Sequence, residues 1–216
     1  MKLYLSSVAI PDPEGLFELL GKHDHITAAS IRTAWDVYPS EKRDDLWPKF
    51  ADKMFASNGI SRTIIDLKDY KNNAKKLQKD LDVYDLIWVH GGNTFYLNYW
   101  AHLCNFADVI RELLEKGRVY GGESAGAVLA CPNLHGIEFA DDPTVAPKII
   151  YEGLGLVDFG IVPHWDNEKF REAILQVQAE AEKFNSKIIT IGDSDYVVVD
   201  GKTSQVKRAD GIIEEC

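Results

Sequence analysis

The sequence predicts an α/β protein of three layers: a mainly parallel sheet covered by helices on both faces, with antiparallel strands at its C-terminal edge. Three observations predict it. Short apolar runs alternate with helical patterns along the whole chain, the order that builds parallel strand–helix–strand units. The run Asp85–His90 is apolar almost without interruption, as in a strand covered on both faces. The last strands are joined by turns too short for a helical crossover, so they run antiparallel.

Lys2–Val8 and Ile26–Ile31 read as strands, short apolar runs bounded by Pro, Gly and charged residues. Ser40–Asn58 reads as a helix with Ser40 as its cap, Glu41 in its first turn and Gly59 closing it; Pro48 kinks or splits it. Ser61–Leu67 is a third strand and Asn72–Leu81 a polar surface helix. After the buried strand Asp85–His90 come Gly91-Gly92-Asn93-Thr94 and a helical pattern in which Phe106, Val109, Ile110, Leu113 and Leu114 share one face, with Gly117 ending it. A short strand, Arg118–Gly121, runs into Gly122-Glu123-Ser124-Ala125-Gly126 and an apolar helix start, Ala127–Ala130. Gly160–Pro163 is a strand and Asn167–Phe184 a long helix. Lys187–Ile191, Tyr196–Asp200 and Ser204–Lys207 are strands, the last two joined at the turn Asp200-Gly201. No repeat, linker or low-complexity tract divides the 216 residues, so residues 1–216 are expected to form one domain, as a monomer or homodimer.

Lys plus Arg total 24 against 34 Asp plus Glu, a net charge of −10. Such a surface repels phosphate backbones and anionic lipids, and the densest basic run, Lys71 to Lys79, is mixed with Asn, Gln and Leu. Neither a nucleic-acid nor a membrane partner is expected. No segment reaches 18 uninterrupted apolar residues, and the apolar start is too short for a signal peptide before Pro11-Asp12-Pro13 breaks it. Cys104, Cys131 and Cys216 are an odd count without Cys-x-x-Cys spacing, which argues against a disulfide framework and against a zinc site. A cytoplasmic protein with reduced thiols is the expectation, with no metal and no cofactor.

Chemistry concentrates at Ser124. A nucleophile on a sharp strand-to-helix turn needs small neighbours, and Gly122-Glu123-Ser124-Ala125-Gly126 satisfies Gly-x-Ser-x-Gly in that context. The turn lifts the hydroxyl and aims free helix N–H groups, that of Ala125 in particular, at the same spot. The competing reading is a serine that caps a helix. Cys131, about two turns into that helix, is the weaker nucleophile. Gly91 and Gly92 allow a backbone to approach a bound group and can supply a second oxyanion donor, with Asn93 or Thr94 as helix cap. Of six histidines, His164 stands where an apolar strand gives way to a loop, at the carboxyl edge that also carries Ser124, and His90 ranks next. Asp193 and Asp195 end the following strand, and Asp141 and Asp142 offer a third choice for the acid that orients the base.

These residues resemble a known family. The stretches at Gly91–Leu97, Gly122–Gly126, Ala130–Pro132, Asp141–Pro143 and Val162–Trp165 are similar to peptidase E, the alpha-aspartyl dipeptidase family, whose relatives include cyanophycinase. The resemblance runs in order across about residues 80–200. It implies a serine peptidase without metal, on a fold similar to class I glutamine amidotransferases. Carried over, the nucleophile falls on Ser124, the base on His164, the acid on Asp193 and the oxyanion donors on Gly92 and Ala125. This sequence departs in having Glu123 before the nucleophile, where the family usually has Trp, and Asp in place of its Glu. In the short stretch Trp165–Arg171 only Arg171 is suited to a substrate carboxylate. The expected function is a serine peptidase acting on a small peptide substrate, dipeptides or short peptides, with an N-terminal aspartate as candidate first residue. Gly91, Asn93, Glu123 and Arg171 join Gly92 and Ala125 as expected oxyanion or substrate contacts. A hydrolase of non-peptide esters or amides on the same serine, and a non-catalytic binding protein, are the alternatives.

Overall fold

The computed structural model describes residues 1–183, 187–208 and 210–216. Its main sheet has eight strands. In chain order these are β1 (Lys2–Ser6), β2 (Ile26–Ile31), β3 (Ile60–Ile65), β4 (Leu86–Val89) and β5 (Val119–Glu123), then, beyond a separate pair, β8 (Tyr196–Asp200), β9 (Thr203–Lys207) and β10 (Ile213–Glu215). The spatial order is β10-β9-β8-β1-β5-β4-β2-β3. β1 through β5 are mutually parallel, and the three last strands run antiparallel at one edge.

Period-two alternation explains the layers. Leu3, Leu5, Ile87 and Val89 face one way, onto α3 (Ala74–Leu81), α4 (Thr94–Leu103), α5 (Phe106–Glu115) and α6 (Ala125–Leu129). Tyr4, Leu86 and Trp88 face the other way, onto α1 (Pro13–Leu20) and α2 (Trp47–Ser57). All four residues of β4 are 0–1% exposed, as its unbroken apolar run requires.

Local differences from the sequence reading have physical causes. Asp12-Pro13, which the sequence reading treats only as a break, starts α1: the Asp12 carboxylate accepts from the Glu14 N–H, and Pro13 sits in the first turn, where its missing N–H costs nothing. The expected helix Ser40–Asn58 is split. Glu41–Leu46 forms a π-helical turn, Ser40 makes no side-chain cap, and α2 begins at Trp47 with Pro48 in its first turn. The expected helix Asn167–Phe184 begins only at Arg171, as α7 (Arg171–Lys183), and Phe184 lies outside the described residues. β6 (Gly160–Val162) and β7 (Ile188–Thr190) do not join the main sheet; they pair with each other in parallel as a small second sheet. Among the described residues no helix is long and apolar enough to cross a membrane.

The carboxyl ends of the adjacent strands β1, β5 and β4 lead to Ser7, Ser124 and Gly91-Gly92, and β6 and β7 lead to His164 and Asp193. Ligands of open α/β sheets bind at this edge.

Candidate active site

Ser124 stands alone between the end of β5 and the start of α6, with φ 49° and ψ −113°. Backbone in that region costs about 1–3 kcal/mol and persists only where its surroundings enforce it. The Ser124 N–H donates to the Ser6 carbonyl at 3.0 Å, and its hydroxyl makes no cap bond to α6. The hydroxyl is turned instead to His164, whose Nε2 lies 3.0 Å from Ser124 Oγ. His164 is also left-handed, at φ 63°. Its Nδ1 is 2.7 Å from Asp193 Oδ1, which sets the tautomer with Nε2 free to accept the serine proton. The imidazole stacks on Phe170 at 4.6 Å between centroids.

Asp193 is held from several sides. Burial pushes its carboxyl up, but hydrogen bonds from His164, from the Asn167 amide at 3.1 Å and from the Ser7 hydroxyl at 3.0 Å outweigh this and hold it below the ordinary carboxylate value. Ser7 is a residue the sequence reading leaves inside a strand. Its hydroxyl donates to Asp193 and accepts from the His164 backbone N–H at 2.9 Å, so one oxygen ties acid to base. The pair Ser6-Ser7, closing an apolar strand, is the only signal the sequence carries for it.

Gly92, at φ 129°, lies so close to Ala34 that a Cβ would come 2.6 Å from the Ala34 carbonyl oxygen. Gly92, Ser124, Ala125, His164 and Asp141 line one cavity of about 420 Å³. Among the described residues neither the Gly92 nor the Ala125 N–H has a protein acceptor. Two free donors, a hydroxyl and an imidazole around one void can take a carbonyl through a tetrahedral adduct.

The sequence matches the profile of Peptidase family S51 over residues 39–207. The chain belongs to peptidase family S51. Among curated relatives, an uncharacterised peptidase of Listeria monocytogenes, Lmo0363, is 35% identical over 134 residues, 62% of this chain and 63% of its own length. A peptidase E from a Nostoc species is 39% identical over 83 residues, 38% of this chain and 33% of its own. A Drosophila melanogaster protein named as a probable alpha-aspartyl dipeptidase is 41% identical over 80 residues, 37% of this chain and 32% of its own. The chain thus spans less than two thirds of the length of these relatives. A crystal structure described as a peptidase E protein from Listeria monocytogenes EGD-e shares 27% identity at a TM-score of 0.82, covering 96% of this chain and 98% of that one. A peptidase from an acI-B1 actinobacterium, 15% identical at a TM-score of 0.67 and covering 100% of this chain and 93% of that one, shares the fold.

In this member of family S51 the other residues marked by the sequence have their own places. Asp195 accepts from the Gly192 N–H at 2.9 Å and pairs with Arg208 at 3.1 Å, holding the turn that presents Asp193. A Cβ at Gly91 would lie 3.1 Å from the Ser124 Cβ, so that position stays bare beside the hydroxyl. Asn93 caps α4, accepting from the Tyr96 N–H at 2.9 Å, and donates to the Asp142 carbonyl; Asp142 itself caps the turn at Pro143. Glu123, expected as a contact, is buried behind the nucleophile: one oxygen is 2.8 Å from His90 Nδ1 and the other accepts from the Ala9 N–H at 2.7 Å. His90 Nε2 lies 2.8 Å from the Ser30 hydroxyl, and the ring sits edge-on between Trp47 and Phe55, so it is far from free to serve as base. Arg171 is exposed, pairs with Glu168 at 3.0 Å and lines a different cleft, with Trp165 and Asp166. Burial pushes the Cys131 thiol up to about 12, which removes its thiolate at neutral pH.

Proposed function

We propose that this chain hydrolyses dipeptides and short peptides through an acyl-enzyme on Ser124. Ser124 Oγ attacks the scissile carbonyl carbon while His164 Nε2 takes the hydroxyl proton. The oxyanion is held by the Gly92 and Ala125 N–H groups, each contributing about 3 kcal/mol to lowering the barrier. His164 then returns its proton to the leaving amine, and a water activated by the same nitrogen releases the acyl group. Asp193 stays ionised, orients the ring and stabilises the imidazolium.

The observation that carries this reading is the unbroken relay of 3.0 Å from Ser124 Oγ to His164 Nε2 and 2.7 Å from His164 Nδ1 to Asp193 Oδ1. The cavity volume of about 420 Å³ fits a small ligand better than a long chain. Membership of the S51 family and the names borne by its relatives support a peptide bond as target. The deciding experiment pairs peptide hydrolysis with fluorophosphonate labelling of wild type and Ser124→Ala. The variant is expected to keep its circular dichroism spectrum while losing both label and turnover, by at least about 10³-fold. Undiminished hydrolysis by folded Ser124→Ala overturns the assignment, and turnover of acyl esters without peptides points to a non-peptide hydrolase.

A further inference from the structure

We propose that Asp141 is the receptor for a free N-terminal ammonium on the substrate, and that the wall beside it takes an apolar first side chain, so that peptides beginning with residues such as Leu or Val, and not aspartyl peptides, are the preferred class. This rests on Ser124 acting as the nucleophile as set out above.

The position follows from the backbone. Gly92 supplies an oxyanion donor, and two residues later Thr94 donates both its N–H, at 2.8 Å, and its hydroxyl, at 2.6 Å, to Asp141 Oδ2. The carboxylate is thus fixed at the first turn of α4, with Oδ1 left for a ligand, in the same cavity as Ser124 and His164. In an N-terminal residue the α-nitrogen is only two bonds, about 2.5 Å, from the carbonyl carbon under attack. An acceptor pinned by Thr94, two residues along the chain from the oxyanion donor, is placed to meet such a nitrogen. Asp141 is also an anion short of a counterion: among the described residues it makes no salt bridge, and burial pushes its carboxyl up against the two Thr94 bonds and the attraction of His164. An ammonium supplies the missing charge.

The side-chain preference follows from the lining. Val128, Ile137, Val162, Ile174 and Val177 form one wall of the cavity, with Phe170 beside His164. Among the described lining residues the only lysine or arginine is Lys42, which is exposed, and Arg171 is engaged outside with Glu168. An aspartyl side chain laid on that wall is desolvated without a partner and shares the cavity with Asp141; a leucyl or valyl side chain meets neither penalty.

The test is a kinetic panel of Leu-Ala, Val-Ala, Asp-Ala and N-acetyl-Leu-Ala on wild type and Asp141→Asn, with fluorophosphonate labelling of the wild type alongside. Leu-Ala is expected to exceed Asp-Ala in kcat/KM by about 100-fold, and acetylation is expected to remove most of its turnover. Asp141→Asn is expected to raise KM for Leu-Ala about 10- to 100-fold, the loss of one charge-assisted hydrogen bond. Asp-Ala or N-acetyl-Leu-Ala cleaved as well as Leu-Ala overturns the inference, and the wild-type comparison decides this even if the variant fails to fold. A serine that labels but cleaves none of these peptides also overturns it and leaves the nucleophile standing. Neither label nor cleavage overturns the reading beneath it.

Discussion

Ser124, His164 and Ala9 hold φ values of 49°, 63° and 52°, conformations that side-chain-bearing residues seldom adopt. Each is held by hydrogen bonds: Ser124 by Ser6, His164 by Ser7, and Ala9 by Glu123. Ser7 therefore acts as a positioning residue. Ser7→Ala takes one donor from Asp193 and the acceptor from the His164 N–H, and kcat is expected to fall about 10-fold while KM hardly changes. Ser7→Thr restores kcat if the hydroxyl alone matters, and steady-state kinetics on the best peptide read both. At this scale Ser124 and His164 were legible because Gly-x-Ser-x-Gly and an apolar strand ending in histidine are local patterns. Asp193 and Asp195 sit in the same turn, and only the fold shows one turned to His164 and the other to Gly192 and Arg208. The partnership of Glu123 with His90 spans 33 positions and leaves no mark in the sequence.

Among the elements, α6 is the most dependent on its surroundings. Five residues are too few for a helix to stand by propensity, so it is fixed by packing against β4 and β5. A methyl at Gly126 would drive into the Val89 carbonyl well inside van der Waals contact. Gly126→Ala is expected to cost about 3 kcal/mol, lowering Tm by about 6–12 °C in a thermal melt, with peptidase activity falling further than stability because Ser124 moves with the helix. Elements with strong periodicity or an unbroken apolar run, such as α5 and β4, were legible. The pairing of β6 with β7 was not, since three-residue strands of Gly-Ile-Val and Ile-Ile-Thr carry no signal of which sheet they join. α1 was missed because Asp-Pro breaks a strand and caps a helix with the same letters.

Over the whole molecule, acid sensitivity follows from carboxylates held below their ordinary value. Asp193 is one; Asp85 is another, where bonds from Lys22 and from the Thr27 N–H and hydroxyl outweigh the burial that pushes it up. A carboxyl lowered by folding stabilises the native state above the unfolded value of about 3.9 and loses that contribution as pH falls through the folded value. Asp141, raised by burial, works the other way, and its protonation relieves a penalty. Tm is expected to fall as pH is lowered from about 5 toward 3, and Asp193→Asn is expected to flatten that slope, as followed by circular dichroism melts at each pH. The parallel sheet and its antiparallel edge were legible from the alternation of elements; the gathering of residues 124, 164 and 193 at one rim was legible from their places at strand ends, and the arrival of Ser7 there was not, because it reads as the continuation of β1. Those four come from two separately built pieces. The hydroxyl rides on the large sheet and the imidazole with its carboxylate on the small satellite formed by β6 and β7, with the Ser7 oxygen as a stitch across the seam. Site order and folded order are consequently different properties of this protein: a slip of the satellite by about an ångström parts Ser124 Oγ from His164 Nε2 while leaving every strand of the large sheet in register.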